Sequence, residues 1–532
     1  MKTQLLARLL RRRLNCHSQI KLRQKSSGVS SQVLPESADH GVTTNAAIGV
    51  KSYSEVPGPR PIPVLGNSWR FLPFVGTYEI SRLDTVLWRL HREYGDIVKI
   101  SNMLGRPDMV FLFDPRDIET IFRSEEKLPH RPSMPSLNYY KHVMRKDYFG
   151  EDAGVIAVHG ENWYKFRRKV QQPLMQPKTA QLYIPSIEES ADTFVERIRN
   201  IRDQNLEVPD DFLNEIHKWG LESIAKVALN VRLGCFDDKM ADDSDTQQLI
   251  DAIDTFFSNV GNLELKIPFW RLFNTPTWNK YVNALDTIMR ITQKYINQSM
   301  QDIEAKGVEC TAYSSVLERV LAFNDNNTRV AVTLALDMFL VGIDTTSAAV
   351  ASILYQLSQN QDKQEILVKE IDRVVPGDAK LTSKMLDEMK YLRACIKETL
   401  RMYPVVIGNG RLVTNDIVLG GYLIPKGVQV VFQHYVISNS DKYFANAAKF
   451  EPERWLKARS EAHHAFASLP FGFGRRMCLG RRFADLELET LLVKILKSYR
   501  IEYLYDKLEY RVQPMYTPYG PLKFKFTDRT VT

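Results

Sequence analysis

One stretch decides the interpretation of this 532-residue chain: Phe471-Gly472-Phe473-Gly474-Arg475-Arg476-Met477-Cys478-Leu479-Gly480. Its glycines allow a tight loop to lie close against a flat ligand. Cys478 precedes a stretch with helical spacing, and the amide groups at a helix start favour the thiolate form of a cysteine. A thiolate can serve as an axial ligand of haem iron, and Arg476 could neutralise a haem propionate.

Simpler interpretations of this stretch exist when it is taken alone. A single buried cysteine is usually a small hydrophobe. A Gly-x-Gly sequence is usually a loop, and no strand–helix–strand context here supports a dinucleotide site. A catalytic thiol requires a partner histidine, and none lies in an obvious motif nearby. The other four cysteines are scattered and form no Cys-x-x-Cys pair, so neither a disulfide framework nor a structural zinc site is expected.

The stretch resembles the haem-binding signature of cytochromes P-450, Phe-x-x-Gly-x-Arg-x-Cys-x-Gly. Its five fixed residues would arise by chance in a chain of this length on the order of once in ten thousand. Three further motifs match the family in order and spacing, and the resemblance runs from about Pro57 to the C-terminus, closest to arthropod members of the mitochondrial group. These motifs are Val341-Gly342-Ile343-Asp344-Thr345-Thr346, Glu398-Thr399-Leu400-Arg401 and Pro452-Glu453-Arg454-Trp455.

The resemblance implies haem b with Cys478 as the axial ligand of the iron and a set of contact residues around it. Trp163 and Arg167 lie at i and i+4 of a predicted helix, where an indole N–H and a guanidinium can reach one propionate. The remaining implied haem contacts are Phe471, Arg476, Gly480 and Arg411, which follows the helix of Glu398.

Glu398 and Arg401 lie at i and i+3 and can pair on one face of a helix. In the family this pair takes a third member, here Arg454, and the three have a structural role behind the haem-binding loop. The simpler interpretation is a solvated ion pair, which would contribute little to stability.

Residues 328–358 are apolar on every side, which is typical of a helix buried through the centre of a large protein. Asp344 and Thr345 interrupt it, and polar groups there are costly unless they are used or satisfied. By resemblance they deliver protons during oxygen activation. The simpler interpretation is that the Thr345 hydroxyl bonds back to the helix. Val341 departs from the family, which usually has Ala or Gly there.

The implied reaction is insertion of one atom of O₂ into a lipophilic substrate, either a xenobiotic or a steroid of the ecdysteroid type. The chain shows no flavin or nicotinamide module, so its electrons are expected from an adrenodoxin-like [2Fe–2S] ferredoxin with an NADPH-dependent reductase. In mitochondrial family members, basic residues at Arg393 and Lys397 receive that ferredoxin, and Arg481 and Arg482 resemble the same group. The alternative is a solvated basic face.

The substrate is expected to be lipophilic because apolar residues are predicted to line the pocket. The candidates are Met338, Phe339, Val341, Val405, Val406, Ile407, Met515 and Tyr516. Two other functions are compatible with a haem thiolate, namely an isomerase or dehydratase that needs no external electrons, and a non-catalytic haem sensor. Asp344 and Thr345 argue against both, and ferredoxin dependence would separate the isomerase from the monooxygenase.

The first 35 residues carry eight basic residues and no acidic one, with leucines at helical spacing. This composition predicts a mitochondrial transit peptide over 1–35, the alternative being a disordered basic tail. The remaining 63 basic residues match 63 acidic residues, which argues against nucleic-acid binding. We expect a linker at 36–56, a haem domain at 57–532, and peripheral attachment to the matrix side of the inner membrane through the aromatic run at 267–273.

The predicted fold class is α+β, mainly α-helical, with a long central helix over the haem and a small segregated sheet. Hairpin strands are predicted at 97–101 and 109–113, and short strands at 417–419 and 428–432. Helices are predicted at 80–94, 161–170, 187–201, 211–230, 278–304, 328–358, 361–374, 384–402 and 480–498.

Overall fold

The computed structural model describes residues 49–132, 134–237, 244–306, 314–457, 463–513 and 515–529. The predicted transit peptide and the predicted linker up to residue 48 lie outside these ranges. From Lys51 the chain joins the folded body: the Lys51 N–H donates to the Gly421 carbonyl (2.9 Å), and the Leu423 N–H donates to the Lys51 carbonyl (3.0 Å).

The described chain is mainly helical, with short 3₁₀ turns between many of its helices. The α-helices in chain order are α1 Leu83–Tyr94, α2 Pro115–Arg123, α3 Pro135–Tyr139, α4 Lys146–Phe149, α5 Gly160–Met175, α6 Pro177–Ala180, α7 Ile184–Ile201, α8 Phe212–Leu229, α9 Asp245–Leu265, α10 Pro276–Lys306, α11 Val316–Phe323, α12 Thr328–Gln359, α13 Gln361–Val374, α14 Ser383–Glu388, α15 Lys390–Met402, α16 His434–Ser438 and α17 Arg481–Ser498.

The strands are short and form one four-stranded sheet and three two-stranded sheets. They are β1 Ile97–Ile100, β2 Met109–Leu112, β3 Asn409–Leu412, β4 Ile417–Leu419, β5 Tyr422–Ile424, β6 Gln429–Phe432, β7 Tyr499–Glu502, β8 Glu509–Val512, β9 Tyr516–Tyr519 and β10 Lys525–Asp528. The larger sheet has the order β1-β2-β6-β3, in which β2 pairs with β6 in parallel, Val110 opposite Val430. The sheet therefore joins the hairpin of β1 and β2 to strands β3 and β6, which lie much further along the chain.

The central helix α12 runs through the hydrophobic core, and most of its residues are buried. Among the described helices, it alone is long and apolar enough to cross a membrane, and 72% of its most apolar window is buried inside the protein. This burial indicates a helix of the protein core. Its contact with α8 is close at Gly342, where an added Cβ would lie 2.2 Å from the Ile224 side chain. A larger residue there would force the end of the Ile224 side chain to move.

The predicted α+β class with dominant helix is confirmed, and each predicted helix and strand has a counterpart. The segment predicted as one helix at 384–402 is two helices, because Met389 leaves helical geometry (φ −83°, ψ 79°) between α14 and α15. The short helices α3, α4, α6 and α16 and the strands β3, β5, β7, β8, β9 and β10 were not predicted, and neither were the longer helices α2, α9 and α11. Each of these three longer helices has a side-chain N-cap, from Asp114, Ser244 and Ser315, which is a start signal visible in the sequence.

Glu398 and Arg401 on α15 form a fully buried ion pair with two hydrogen bonds, both of 2.9 Å. Arg454 joins it through its Nε, 3.0 Å from Glu398 Oε1, and the Trp455 indole N–H donates to the second carboxylate oxygen at 2.9 Å. Arg401 also donates to the carbonyl oxygens of Ser438 and Ala447. The network thus fastens α15 to the segment that leads to the Cys478 loop, and it is not the solvated pair of the simpler interpretation.

We predict that Glu398→Gln lowers the free energy of unfolding by about 3–5 kcal/mol, because the fully buried Arg401 loses its counter-charge and Arg454 keeps only Glu451. Denaturant unfolding followed by circular dichroism measures this change. The matched control is Glu388→Gln at the exposed end of α14, which should change stability by less than about 0.5 kcal/mol. A Glu398→Gln protein as stable as this control would contradict the structural role of the network.

Candidate active site

The loop that bears Cys478 is shaped by two glycines in the left-handed region, Gly472 (φ 70°) and Gly474 (φ 72°). A 3₁₀ turn, Gly474–Arg476, follows, and α17 begins at Arg481 with Gly480 as its N-cap. The Cys478 N–H donates to the Phe471 carbonyl at 2.9 Å and closes the loop. Side chains at the two glycine positions would strain this path.

Cys478 is exposed although protein atoms surround it, so its side chain faces an internal space. Burial raises the pKa of the Cys478 thiol, while the Gly480 amide and the charges of Arg167 and Arg131 act in the opposite direction. The helix-start effect that the sequence indicated is present in the Gly480 amide, and the burial of the thiol opposes it. A bound metal ion would stabilise the thiolate, because coordination deprotonates a thiol.

Arg476 is fixed by the segments that precede α5. Its Nε donates to the Pro129 carbonyl (3.1 Å), its Nη1 donates to the Val158 carbonyl (2.9 Å), and its guanidinium lies 3.7 Å from the centre of the Trp163 ring. Burial and the neighbouring charges of Arg131, Arg411 and Arg167 lower the pKa of Arg476 to about 8. Arg476 thus lies in a buried region that contains more positive than negative side chains.

Arg411 and Arg167 approach the same loop from other elements. Arg411, on β3, pairs with Glu125, whose charge offsets part of the cluster. The Nη2 of Arg167 donates to the Met477 carbonyl at 3.1 Å, directly beside Cys478. Trp163 and Arg167 therefore both contact the loop, one through a ring stacked on Arg476 and the other through the Met477 carbonyl. Their shared contact with a propionate stays a prediction.

Arg131 completes this group, and sequence reasoning did not select it as a site residue. Burial and the charges of Arg411 and Arg167 lower its pKa to about 10, while the nearby Cys478 acts in the opposite direction. No local pattern indicates that it lies near Cys478, because the fold brings the two together across more than three hundred residues.

Each of these four arginines keeps one buried nitrogen without a partner in the described structure: Nε of Arg131 and Arg167, and Nη2 of Arg411 and Arg476. Both ring nitrogens of the buried His434 are also unpaired, and burial lowers its pKa to about 4. Buried donors of this kind are costly unless a ligand accepts their hydrogen bonds. The cluster therefore has the properties of a binding site for an anion.

On α12, the Thr345 hydroxyl donates to the Val341 carbonyl at 2.8 Å, which is the backbone bond of the simpler interpretation. The Asp344 carboxylate lies beside His217 on α8, with 3.5 Å between Oδ1 and Nε2. Sequence reasoning did not indicate His217, since only the crossing of α8 and α12 brings it near.

A buried ion pair fastens the segment before α5 to the same helix. Lys141 Nζ lies 2.6 Å from Asp337 Oδ1, and the Val155 N–H donates to the other carboxylate oxygen at 2.9 Å. The Lys141 ammonium also donates to the Ala153 carbonyl. These contacts attach the segment that contains Arg131 and Val158 to α12, the helix that also carries Asp344 and Thr345.

The family model described as Cytochrome P450 matches residues 56–523. The chain belongs to the cytochrome P450 family. It is 48% identical over 501 residues to probable cytochrome P450 49a1 of Drosophila melanogaster, covering 92% of this chain and 85% of the relative. It is 46% identical over 480 residues to probable cytochrome P450 301a1, mitochondrial, of the same species (89% and 87%), and 37% identical over 500 residues to cytochrome P450 CYP12A2 of Musca domestica (90% and 91%).

The residues around Cys478 fit the haem that members of this family bind through a cysteine thiolate. A haem has two propionates, and carboxylates accept the paired hydrogen bonds that a guanidinium donates. The unpaired nitrogens of Arg411 and Arg476 match this requirement. This P450 is a monooxygenase with haem iron as its cofactor, and mitochondrial relatives are among its most similar proteins.

The four basic residues expected to receive a redox protein differ in how their charges are used. They are found with Trp455 and Phe471 around one surface hollow. Arg393 is largely neutralised, because it lies 2.8 Å from both Glu489 and Asp387. Arg481 is 3.5 Å from Asp485, whereas the exposed Lys397 and Arg482 form no ion pair with described residues.

We predict that Arg476→Gln accelerates haem loss by about tenfold or more, because a charge-assisted hydrogen bond contributes about 1.5–3 kcal/mol. Transfer of haem to a scavenging protein gives the rate. Arg475→Gln, the exposed neighbour in the same turn, is the control and should behave as wild type. The haem-free Arg476→Gln protein should be no less stable than the haem-free wild type, since a poorly compensated buried charge is removed. Equal haem-loss rates would contradict the propionate role.

Proposed function

We propose that this P450 inserts one atom of O₂ into a lipophilic xenobiotic or ecdysteroid-like steroid in mitochondria, using electrons from an adrenodoxin-type [2Fe–2S] ferredoxin and its NADPH-dependent reductase. The observation that carries the proposal is the position of Cys478 in a loop reached by four arginines, each of which keeps a buried nitrogen without a partner in the described structure. In this proposal residues 57–532 form the catalytic domain and residues 1–35 the transit peptide.

Cys478 is the proposed axial ligand, with Phe471 and Gly480 completing the loop around it. The proposed propionate contacts are Arg411, Arg476 and the Trp163–Arg167 pair. When bound, the haem supplies the oxidising chemistry, because a thiolate ligand favours O–O cleavage. The protein supplies a fixed ligand geometry and a source of protons.

Asp344 and Thr345 are the proposed catalytic residues, since the overall reaction consumes two protons for each O₂. The Thr345 hydroxyl donates to Val341, so its oxygen can still accept a hydrogen bond. The Asp344 carboxylate can hold a proton and pass it on. The apolar residues beside them on α12 would limit the entry of bulk water.

The lipophilic character of the proposed substrate rests on the apolar residues near this helix. Val341 and Val405 are half-buried, and Val405 packs against two of the hydrophobic core clusters. The Tyr516 N–H donates to the Val405 carbonyl at 2.8 Å, which places Met515 and Tyr516 in the same region. Val341, larger than the usual Ala or Gly, would narrow the pocket beside the haem.

Peripheral contact with the inner membrane, on its matrix side, is supported by exposed apolar side chains between α9 and α10. Phe269, Leu272 and Phe273 are exposed by 48%, 81% and 59%. Arg106 holds this segment near the β1–β2 turn by donating to the carbonyl oxygens of Leu263 and Lys266. An exposed apolar patch of this kind is typical of membrane or protein contacts.

The face around α15 and the start of α17 supports the proposed ferredoxin. Exposed basic residues steer an acidic partner and give salt-dependent association. Since Glu489 and Asp387 neutralise Arg393, Lys397 and Arg482 are the charges available to the partner.

We predict that Lys397→Gln weakens ferredoxin binding by about tenfold and flattens the dependence of the reduction rate on salt, because one unpaired cation of the face is lost. Ferredoxin titrations at two salt concentrations measure both effects. Reduction by dithionite should be unchanged, which excludes damage to the haem.

The control removes an equal charge elsewhere: Lys146→Gln, an exposed lysine of α4, should retain wild-type ferredoxin affinity. Turnover without any ferredoxin would favour the isomerase or dehydratase alternative. Haem binding without turnover under any electron supply would favour the sensor.

A further inference from the structure

A small cavity lies between α8, α9 and α12, on the outer side of the helix that carries the proposed catalytic pair. Three titratable residues line it, one from each helix: His217, Asp254 and Asp344. The rest of its wall is apolar, formed by Ile250, Ile253 and Ile343. Its volume is sufficient for about one water molecule.

The three residues run from the surface towards the core. Asp254 is exposed, whereas the side chains of His217 and Asp344 are only 15% and 14% exposed. His217 Nε2 lies 3.5 Å from Asp344 Oδ1, slightly beyond a direct hydrogen bond and within reach of a small side-chain movement or one bridging water.

The packing of α8 against α12 explains why these groups meet. His217 precedes Gly220, where an added Cβ would lie 3.2 Å from the Ser347 hydroxyl, and Asp344 follows Gly342, which contacts Ile224. The Ser347 hydroxyl also donates to the Ile216 carbonyl at 3.3 Å. The close crossing therefore brings the imidazole to the carboxylate and fixes it there.

The three groups also interact electrostatically. Partial desolvation of its carboxylate and the charge of Asp344 raise the pKa of Asp254, whereas His217 acts to lower it and the neighbouring Asp251 acts to raise it. Protonation of one member of the cluster thus changes the proton affinity of another. An isolated surface carboxylate would not show this dependence.

We propose that Asp254 and His217 form the route by which protons from bulk water reach Asp344. The inference rests on the proposed role of Asp344 and Thr345, and it makes His217 and Asp254 positioning residues for proton supply. An imidazole suits this task, because one ring nitrogen can accept a proton while the other donates one.

The proton balance follows from the reaction: substrate, O₂, two electrons and two protons give the hydroxylated product and water. The ferredoxin supplies the electrons. As the N–H of His217 gives its proton to Asp344, the other ring nitrogen takes one from hydronium or a buffer acid of the bulk, through water held by Asp254. The route changes no oxidation state, and the imidazole returns to its starting tautomer by rotation of the ring or by proton exchange with water.

The experiment uses the haem-loaded full chain with ferredoxin and reductase, comparing His217→Gln, Asp254→Asn and Asp344→Asn. In His217→Gln we expect oxygen consumption to fall by about tenfold or more and the solvent isotope effect to rise, as expected when proton transfer limits the rate. Turnover driven by hydrogen peroxide should stay within about twofold of wild type, since the peroxide brings its own protons. The double variant at 217 and 254 should be no slower than the slower single variant, because the two groups act in series.

A second readout needs no turnover: the pKa of Asp254, measured by isotope-edited infrared spectroscopy of the resting protein. It should rise in His217→Gln and fall in Asp344→Asn, in accordance with the interactions above. The activity control is Glu304→Gln, an exposed carboxylate of α10 that does not line the cavity, and its rate should equal that of wild type.

The outcomes separate the two proposals. If Asp344→Asn is slow while His217→Gln and Asp254→Asn match wild type, the route is overturned and the role of Asp344 stands. If Asp344→Asn matches wild type, the proposed proton delivery by Asp344 fails. An Asp254 pKa that does not respond to either change overturns the route independently of any rate, and so does an equal loss of peroxide-driven turnover in His217→Gln.

Discussion

An excess of buried positive charge around Cys478 is the constraint on which this structure depends. Arg131, Arg167, Arg411 and Arg476 converge there, and Glu125 offsets only part of their charge. Burying a charge without a partner is costly, so a protein retains such a cluster when a bound anion compensates it. The propionates of haem meet that requirement, and haem iron meets the need of Cys478 for a cation that stabilises its thiolate. The charges and the cysteine thus require the same ligand.

The rest of the fold keeps this cluster in place. The arginines come from four separated parts of the chain, so their convergence needs a rigid framework. Two buried groups of ion pairs contribute to this framework: the Glu398–Arg401–Arg454 network and the Lys141–Asp337 pair. The helix α12 carries Asp337 of this second ion pair, packs its apolar surface into the core, and brings Asp344 to the crossing with α8. The same helix therefore packs the core and carries the two residues that are proposed to deliver protons, Asp344 and Thr345.

Much of this could be predicted from the sequence where the information is local. Helical periodicity indicated the long helices, and the spacing of Glu398 and Arg401 indicated their pairing. What could not be predicted depends on tertiary contacts. Nothing near Arg131 indicates Cys478, and nothing near Arg393 indicates that Glu489, almost a hundred residues later, neutralises it. The pKa of Cys478 was expected to fall because the helix start is local and visible, whereas the burial that raises it is a property of the whole fold.

The central claim is that Cys478 holds haem iron as a thiolate, and the absorption spectrum of the reduced protein with carbon monoxide tests it most directly. The measurement compares wild type with Cys478→Ser, purified with equal haem content. The account predicts the long-wavelength Soret band that a thiolate-ligated haem shows in wild type and its loss in the variant. A band that survives the substitution, or a wild-type protein that binds no haem, would contradict the account.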